Sequence, residues 1–123
     1  MFKIIVAGSR TFTDYEMLKD YLDRLLVNIS KDFEIEIVSG HARGADALGE
    51  RYAQERGYRL ITFPADWASF GKLAGFRRNV QMAKYADALV AFHDGESRGT
   101  QHMIETMRSL KPDAPIRVLK FTR

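Results

Sequence analysis

Short apolar runs alternate with stretches of helical periodicity through the whole chain, and this alternation restricts the fold more than any other feature. Runs of strand length occupy Lys3 to Ala7, Glu34 to Ser39, Arg59 to Phe63, Ala88 to Phe92 and Ile116 to Phe121. After the first of them, Met17, Leu18, Tyr21, Leu22, Leu25 and Leu26 recur at three- and four-residue spacing. That pattern predicts an amphipathic helix, started by Thr13 or Asp14 as N-cap and ending near Asn28 to Ser30. A second helix is predicted over Arg43 to Arg56, with Ala45, Leu48, Tyr52 and Ala53 inward and Gly57 as its stop. Phe76 to Tyr85 and Thr100 to Leu110 read as helices in the same way. Parallel strands need long crossovers, and helices supply them with right-handed geometry. The expectation is therefore an α/β, doubly wound, Rossmann-like fold: a parallel five-stranded sheet in the order 3-2-1-4-5, helices on both faces, and a single domain over residues 1–123.

Three strand-to-helix turns stand out: Gly8-Ser9-Arg10, Ser39-Gly40-His41-Ala42-Arg43-Gly44-Ala45-Asp46 and Asp94-Gly95-Glu96-Ser97-Arg98-Gly99-Thr100. Glycine lets the backbone turn sharply and approach a ligand closely, and the first amides of a following helix have no intrahelical partner. Such an end attracts anions, and an arginine beside it adds a charge-assisted, bidentate donor. In open parallel sheets ligands bind beyond the carboxyl ends of the strands where the order reverses, which would make these turns neighbours in space. Asp46, in a first helical turn, either orders the loop or meets a ligand; the helix dipole favours a carboxylate there in both cases.

The longest connection, Pro64 to Gly75, is predicted as a functional or mobile loop. It carries Asp66, Trp67 and Lys72, with Arg77, Arg78 and Asn79 just beyond. Trp67 either stacks on a base or covers the sheet edge, and Asn79 could bond a base edge or a ribose. Adjacent helical positions diverge by roughly 100°, so Arg77 and Arg78 face different ways, and Arg78 is the one expected to face the cleft.

Composition excludes several classes. The formal net charge of +3 is mild, but Arg10, Arg43, Arg77, Arg78 and Arg98 all fall in or beside the turns, so positive charge is focused where an anion would bind. The absence of cysteine excludes disulfides and thiol chemistry and agrees with a reducing compartment. His41, His93 and His102 lack the spacing of a metal set. There is no Gly-Lys-Ser/Thr phosphate loop and no G-x-G-x-x-G fingerprint, so neither ATP hydrolysis nor a nicotinamide cofactor is expected, and no cofactor at all. No stretch approaches a membrane span and Met1 to Val6 lacks the features of a signal peptide. We expect a cytoplasmic protein without a membrane partner.

Taken in order, Gly8-Ser9-Arg10, Ser39-Gly40-x-Ala42-Arg43-Gly44-x-Asp46, Asp66-Trp67, Gly71-Lys72-Leu73-Ala74-Gly75, Arg78-Asn79 and Ser97-Arg98-Gly99-Thr100 resemble the SLOG superfamily. That superfamily includes the Lonely Guy phosphoribohydrolases and the Rossmann domain of Smf/DprA, and the small stand-alone YspA-type proteins of bacteria and phages are the most similar. The resemblance implies a nucleotide or a nucleotide-derived ligand, of the nucleoside monophosphate or ADP-ribose class, held by a sensor or processing module. Gly8, Ser9, Arg10, Ser39, Gly40, Arg43, Gly44, Asp46, Trp67, Lys72, Arg78, Asn79, Gly95, Ser97, Arg98, Gly99 and Thr100 are the expected ligand-binding residues. A homodimer, common among Lonely Guy proteins, is a fair expectation. The chain departs from the enzymes at one point: aligning Gly99-Thr100 on their Gly-Gly-x-Gly-Thr-x-x-Glu motif puts Met103 at the glutamate. Methionine can act as neither acid nor base, and Glu105 lies roughly 200° around the helix from it. A hydrolase or transferase acting at the N-glycosidic bond of nucleotides is thus the alternative to a binding module, with Asp46, Asp66 or Glu96 as its carboxylate. A single-stranded nucleic-acid module comes last, because the net charge is small and Trp67 is its one evident stacking residue.

Overall fold

The computed structural model describes residues 1–122. Five strands, β1 (Phe2–Gly8), β2 (Ile35–Ser39), β3 (Arg59–Thr62), β4 (Ala88–His93) and β5 (Ile116–Lys120), form one sheet in the order β3-β2-β1-β4-β5. Every pairing is parallel. The helices are α1 (Tyr15–Leu26), α2 (Ile29–Asp32), α3 (Ala45–Arg56), α4 (Trp67–Phe70), α5 (Ala74–Tyr85) and α6 (Arg98–Leu110), with a 3-10 turn at Gly71–Leu73. The Rossmann-like architecture and strand order expected from the sequence are those found.

The apolar runs are continuous because both faces of the sheet are covered. Successive side chains of a strand point to opposite faces, and β1 divides accordingly: Ile4 and Val6 join Leu18, Leu22 and Leu26 of α1 and Tyr52 and Ala53 of α3. Ile5 and Ala7 instead join Met82 and Ala83 of α5 and Met103, Ile104 and Met107 of α6. Asp14 starts α1 by accepting the Met17 amide at 3.1 Å, and Gly57, in the left-handed region, ends α3. Among the described residues no helix is long and apolar enough to cross a membrane.

Several boundaries differ from the sequence reading. The first helix stops at Leu26 and a separate turn, α2, follows. Helix α3 begins at Ala45 rather than Arg43, because Gly44 sits at φ 77° and ψ −130°, which no helical residue adopts. Helix α6 begins earlier, at Arg98, where the Ser97 side chain caps the Thr100 amide. Phe63 and Phe121 fall outside their strands. The connection expected to be an irregular loop is largely structured: Asp66 accepts the Ser69 amide at 3.1 Å and starts α4, and α5 is under way by Ala74. Trp67, Phe70, Leu73 and Phe76 along it stay exposed.

The buried face of α1 yields a test. Leu22 is fully buried while Arg24 is exposed. Leu22→Ala should lower the unfolding free energy in urea by about 3 kcal/mol through lost burial and a residual cavity, and Arg24→Ala should change it by less than about 0.5 kcal/mol.

Candidate functional site

Chain order reverses beside β1. From β1 the chain moves through β2 to β3 with α1 and α3 on one face, then returns through α5 to β4, with α6 on the other. The loops after β1 and β4 therefore separate, and a cleft of about 300 Å³ opens beyond the carboxyl ends of these two strands. Gly8, Ser9, Arg10 and Thr11 form one wall, Asp94, Ser97, Gly99 and Thr100 another. Ala42 and Asp46 enter from the loop after β2, Arg78 and Asn79 from α5, and Met82 and Met103 contribute apolar surface.

Close backbone packing fixes these walls. A side chain on Gly44 would lie 2.6 Å from the Arg10 backbone, and one on Gly8 would lie 2.8 Å from the Ala45 side chain. The Ser9 carbonyl accepts the Phe12 amide at 3.2 Å and the Ala45 amide at 3.2 Å, and the Ser9 hydroxyl accepts the Asp94 amide at 3.0 Å. One buried serine thus ties three loops together, and its own proton has no acceptor among the described residues. At the other wall the Asp94 carboxylate accepts the Glu96 and Ser97 amides, each at 2.8 Å, and Ser97 accepts the Thr100 amide at 3.3 Å. The protein's own side chains therefore occupy part of the amide array that the sequence suggested would be open. The Arg98 and Gly99 amides, in the first turn of α6, keep no acceptor among the described residues.

The charged groups are set by burial. Arg78 donates from Nε to Asn79 Oδ1 at 3.0 Å and from Nη1 to the Gly40 carbonyl. Burial holds its guanidinium below the usual range, against the attraction of Asp46. Asp46 is 6% exposed. Its Oδ2 accepts the Ala42 amide at 3.2 Å, so it does order the loop after β2. Burial raises its pKa to about 6, although the Ala42 bond, Arg78 and Arg10 all act the other way. Neither Arg10 nor Arg78 forms an ion pair among the described residues.

The ligand-binding residues expected from the sequence divide into groups. Gly8, Ser9, Arg10, Asp46, Arg78, Asn79, Ser97, Gly99 and Thr100 line the cleft. Asn79 is committed to the protein, donating to the Gly99 carbonyl at 3.2 Å as well as accepting from Arg78. Gly40, Arg43 and Trp67 line an adjoining hollow. Five residues reach neither. Ser39 is fully buried and donates to Glu50 at 2.8 Å, and Gly44 serves the packing against Arg10. Lys72 is exposed on the 3-10 turn. Gly95 and Arg98 face a separate depression with Phe76, His93 and His102. Of the three alternative carboxylates, Asp46 alone lines the cleft; Asp66 caps α4 and Glu96 lies in that separate depression. Arg77 turns outward, its guanidinium 3.9 Å from the centre of the Phe70 ring.

Thr11, Ala42, Met82, Asp94 and Met103 are wall residues that the site prediction omitted. Thr11 is found by extending the first turn by one residue, whereas Ala42 and Asp94 already stand within the turns singled out from the sequence. No group of residues able to hold a metal occurs among those described.

The shifted carboxyl predicts a pH effect. An acid whose folded pKa lies above its unfolded value stabilises the fold while protonated, and that stability is lost as pH rises from about 4 through about 6. The loss attributable to Asp46 should approach about 3 kcal/mol by neutral pH. Urea unfolding at pH 4.5 and pH 7.5 should show Asp46→Asn gaining on the parent protein as pH rises; parallel pH profiles would show that Asp46 is not the titrating group.

Comparisons with known proteins agree with this architecture. The structure superposes on the X-ray structure of TM1055 with a TM-score of 0.67 at 20% identity, covering 94% of this chain and 72% of that one. It superposes on DNA processing protein A (DprA) from Streptococcus pneumoniae with a TM-score of 0.72 at 16% identity, covering 99% of this chain but only 51% of DprA. At these identities the likeness is one of fold. In sequence, the Gene 61 protein of Mycobacterium phage D29 is 34% identical over 112 residues, 83% of this chain and 85% of that protein. The family model described as YspA, cpYpsA-related SLOG matches residues 2–70, more than half of the chain, including the turns after β1 and β2. The chain therefore belongs to the YspA, cpYpsA-related SLOG family.

Proposed function

We propose that the cleft binds a phosphate-bearing nucleotide or nucleotide-derived ligand. Arg10 and Arg78, which form no ion pair among the described residues, share the cleft with Gly99 at the open end of α6, and this juxtaposition carries the reading. A phosphate would sit among the Gly99 amide, the Ser9 hydroxyl and Arg10, where helix-end amides and arginine act on the same charge. Bare phosphate would leave Asp46 unused. A carboxylate beside guanidiniums suits the hydroxyls of a sugar, and Met82 and Met103 offer apolar contact, so phosphate joined to a ribose accounts for more of the wall than phosphate alone.

Calorimetry with 5′-AMP and ADP-ribose tests this reading. Saturable binding is expected, and Arg10→Ala should weaken it about tenfold or more, the usual effect of losing a hydrogen bond to a charged group. Arg10 is exposed, so the variant should unfold like the parent. No binding of either nucleotide at millimolar concentration, or binding indifferent to Arg10, would contradict the reading.

One observation favours a second reading, cleavage of the bond between base and ribose. Asp46 is a buried carboxyl in the cleft, and burial raises its pKa to about 6, near enough to neutrality to exchange a proton. Base release from a nucleotide that disappears in Asp46→Asn would support it. Absence of release at high enzyme concentration would leave binding as the activity.

A further inference from the structure

A second hollow of about 370 Å³ adjoins the cleft. Arg10, Ala42 and Arg78 line both, so these residues form a shared ridge rather than an outer wall. Beyond the ridge lie Gly40, His41, Arg43, Pro64, Ala65 and Trp67. Ligand pockets generally range from about 300 to 1,000 Å³, which puts either compartment alone at the small end and the two together well within the range.

The far compartment is built rather than accidental. His41 is held in the left-handed region, at φ 62°, alone in this among the described non-glycine residues, a conformation that persists only where its surroundings enforce it. Here the enforcement is visible: its amide donates to Ser39 Oγ at 3.1 Å and its Nδ1 lies 2.9 Å from Glu50 Oε2. The same turn presents the Gly40 carbonyl to Arg78, which fixes the ridge between the compartments. Across from it Trp67 is 53% exposed, and its ring edge passes where a Cβ on Gly75 would lie 3.4 Å away. Arg43, like Arg10, forms no ion pair among the described residues. An exposed indole that lines one hollow with the guanidiniums of Arg10 and Arg43, neither ion-paired among the described residues, suits an aromatic ring that carries negative charge next to it.

We propose that the ligand spans both compartments and is a nucleotide with at least two phosphoryl groups, one beside the first turn of α6 and one at the ridge, with an aromatic base against Trp67. The inference rests on the reading of the first cleft as a nucleotide site and narrows it to ligands longer than a mononucleotide. It gives Trp67 and Arg43, which the first cleft does not use, a common purpose.

The chain contains a single tryptophan, so its fluorescence reports on the far compartment alone. The protein is titrated with 5′-AMP and with ADP-ribose, following both calorimetry and tryptophan emission. ADP-ribose should bind at least about tenfold more tightly than 5′-AMP and should quench or shift Trp67. Arg43→Ala should reduce ADP-ribose affinity at least fivefold more than 5′-AMP affinity. Equal affinities, an unmoved Trp67 at ADP-ribose saturation, or equal losses in Arg43→Ala would overturn the two-compartment ligand while leaving the nucleotide site standing. Binding of neither nucleotide would remove both. A response of Trp67 to single-stranded oligonucleotide and not to ADP-ribose would assign the far compartment to nucleic acid instead, and would equally overturn the proposal.

Discussion

The reversal of chain direction beside β1 is the constraint from which the rest of the molecule follows. A strand whose two neighbours are reached through helices on opposite faces must leave its carboxyl end uncovered, because no crossover can pass over it. Here that end is Gly8, and the walls around it come from loops far apart in sequence. They are held in register by backbone contacts rather than by salt bridges: Ser9 joins the loops after β1, β2 and β4 through hydrogen bonds to Phe12, Ala45 and Asp94. Gly44 brings the start of α3 against Arg10 more closely than any side chain would permit. The rim is therefore stiff where its amides and hydroxyls lie, while the exposed guanidinium of Arg10 stands beside it.

The electrostatics of the cleft support the proposal of an anionic ligand. Asp46 is buried and Arg78 half-buried, and for each the loss of hydration outweighs the attraction of the other. An entering phosphate would supply Arg78 with the counter-charge that Asp46 gives incompletely. Capping by Asp94 limits the same effect at the other wall, since it consumes the Glu96 and Ser97 amides. The amides left for the proposed anion are therefore those of the first turn of α6, beside the Ser9–Arg10 corner.

Much of the fold was legible because its strands are buried on both faces and write themselves as unbroken apolar runs, and because Leu18, Leu22 and Leu26 repeat at the helical interval. Helix starts were less legible. Arg43 reads as helical by type, but the dihedral angles of Gly44 exclude it, and nothing in the letter G says whether a glycine will turn a helix, admit a ligand or admit another backbone. Gly44 does the last of these, Gly99 lines the cleft, and the sequence presents both in similar surroundings. Helix α4 has four residues, too few for a periodic pattern to show. At the site, Arg78 was separable from Arg77 because a helix turns by a known angle, whereas Arg98 and Gly99 were assigned together although they face different hollows. The sequence places His41 in the turn and excludes it from a metal set, but its part in shaping that turn depends on a backbone angle invisible in the sequence.

If the separated turns converge on one corner that takes an anion, amide chemical-shift mapping during a 5′-AMP titration will reveal it. Concerted shifts are expected at Ser9, Arg10, Ala42, Asp46, Arg98 and Gly99, with the opposite edge of the sheet near Ile35 and Tyr58 unmoved. Shifts confined to that opposite edge, or at one turn without the others, would contradict it.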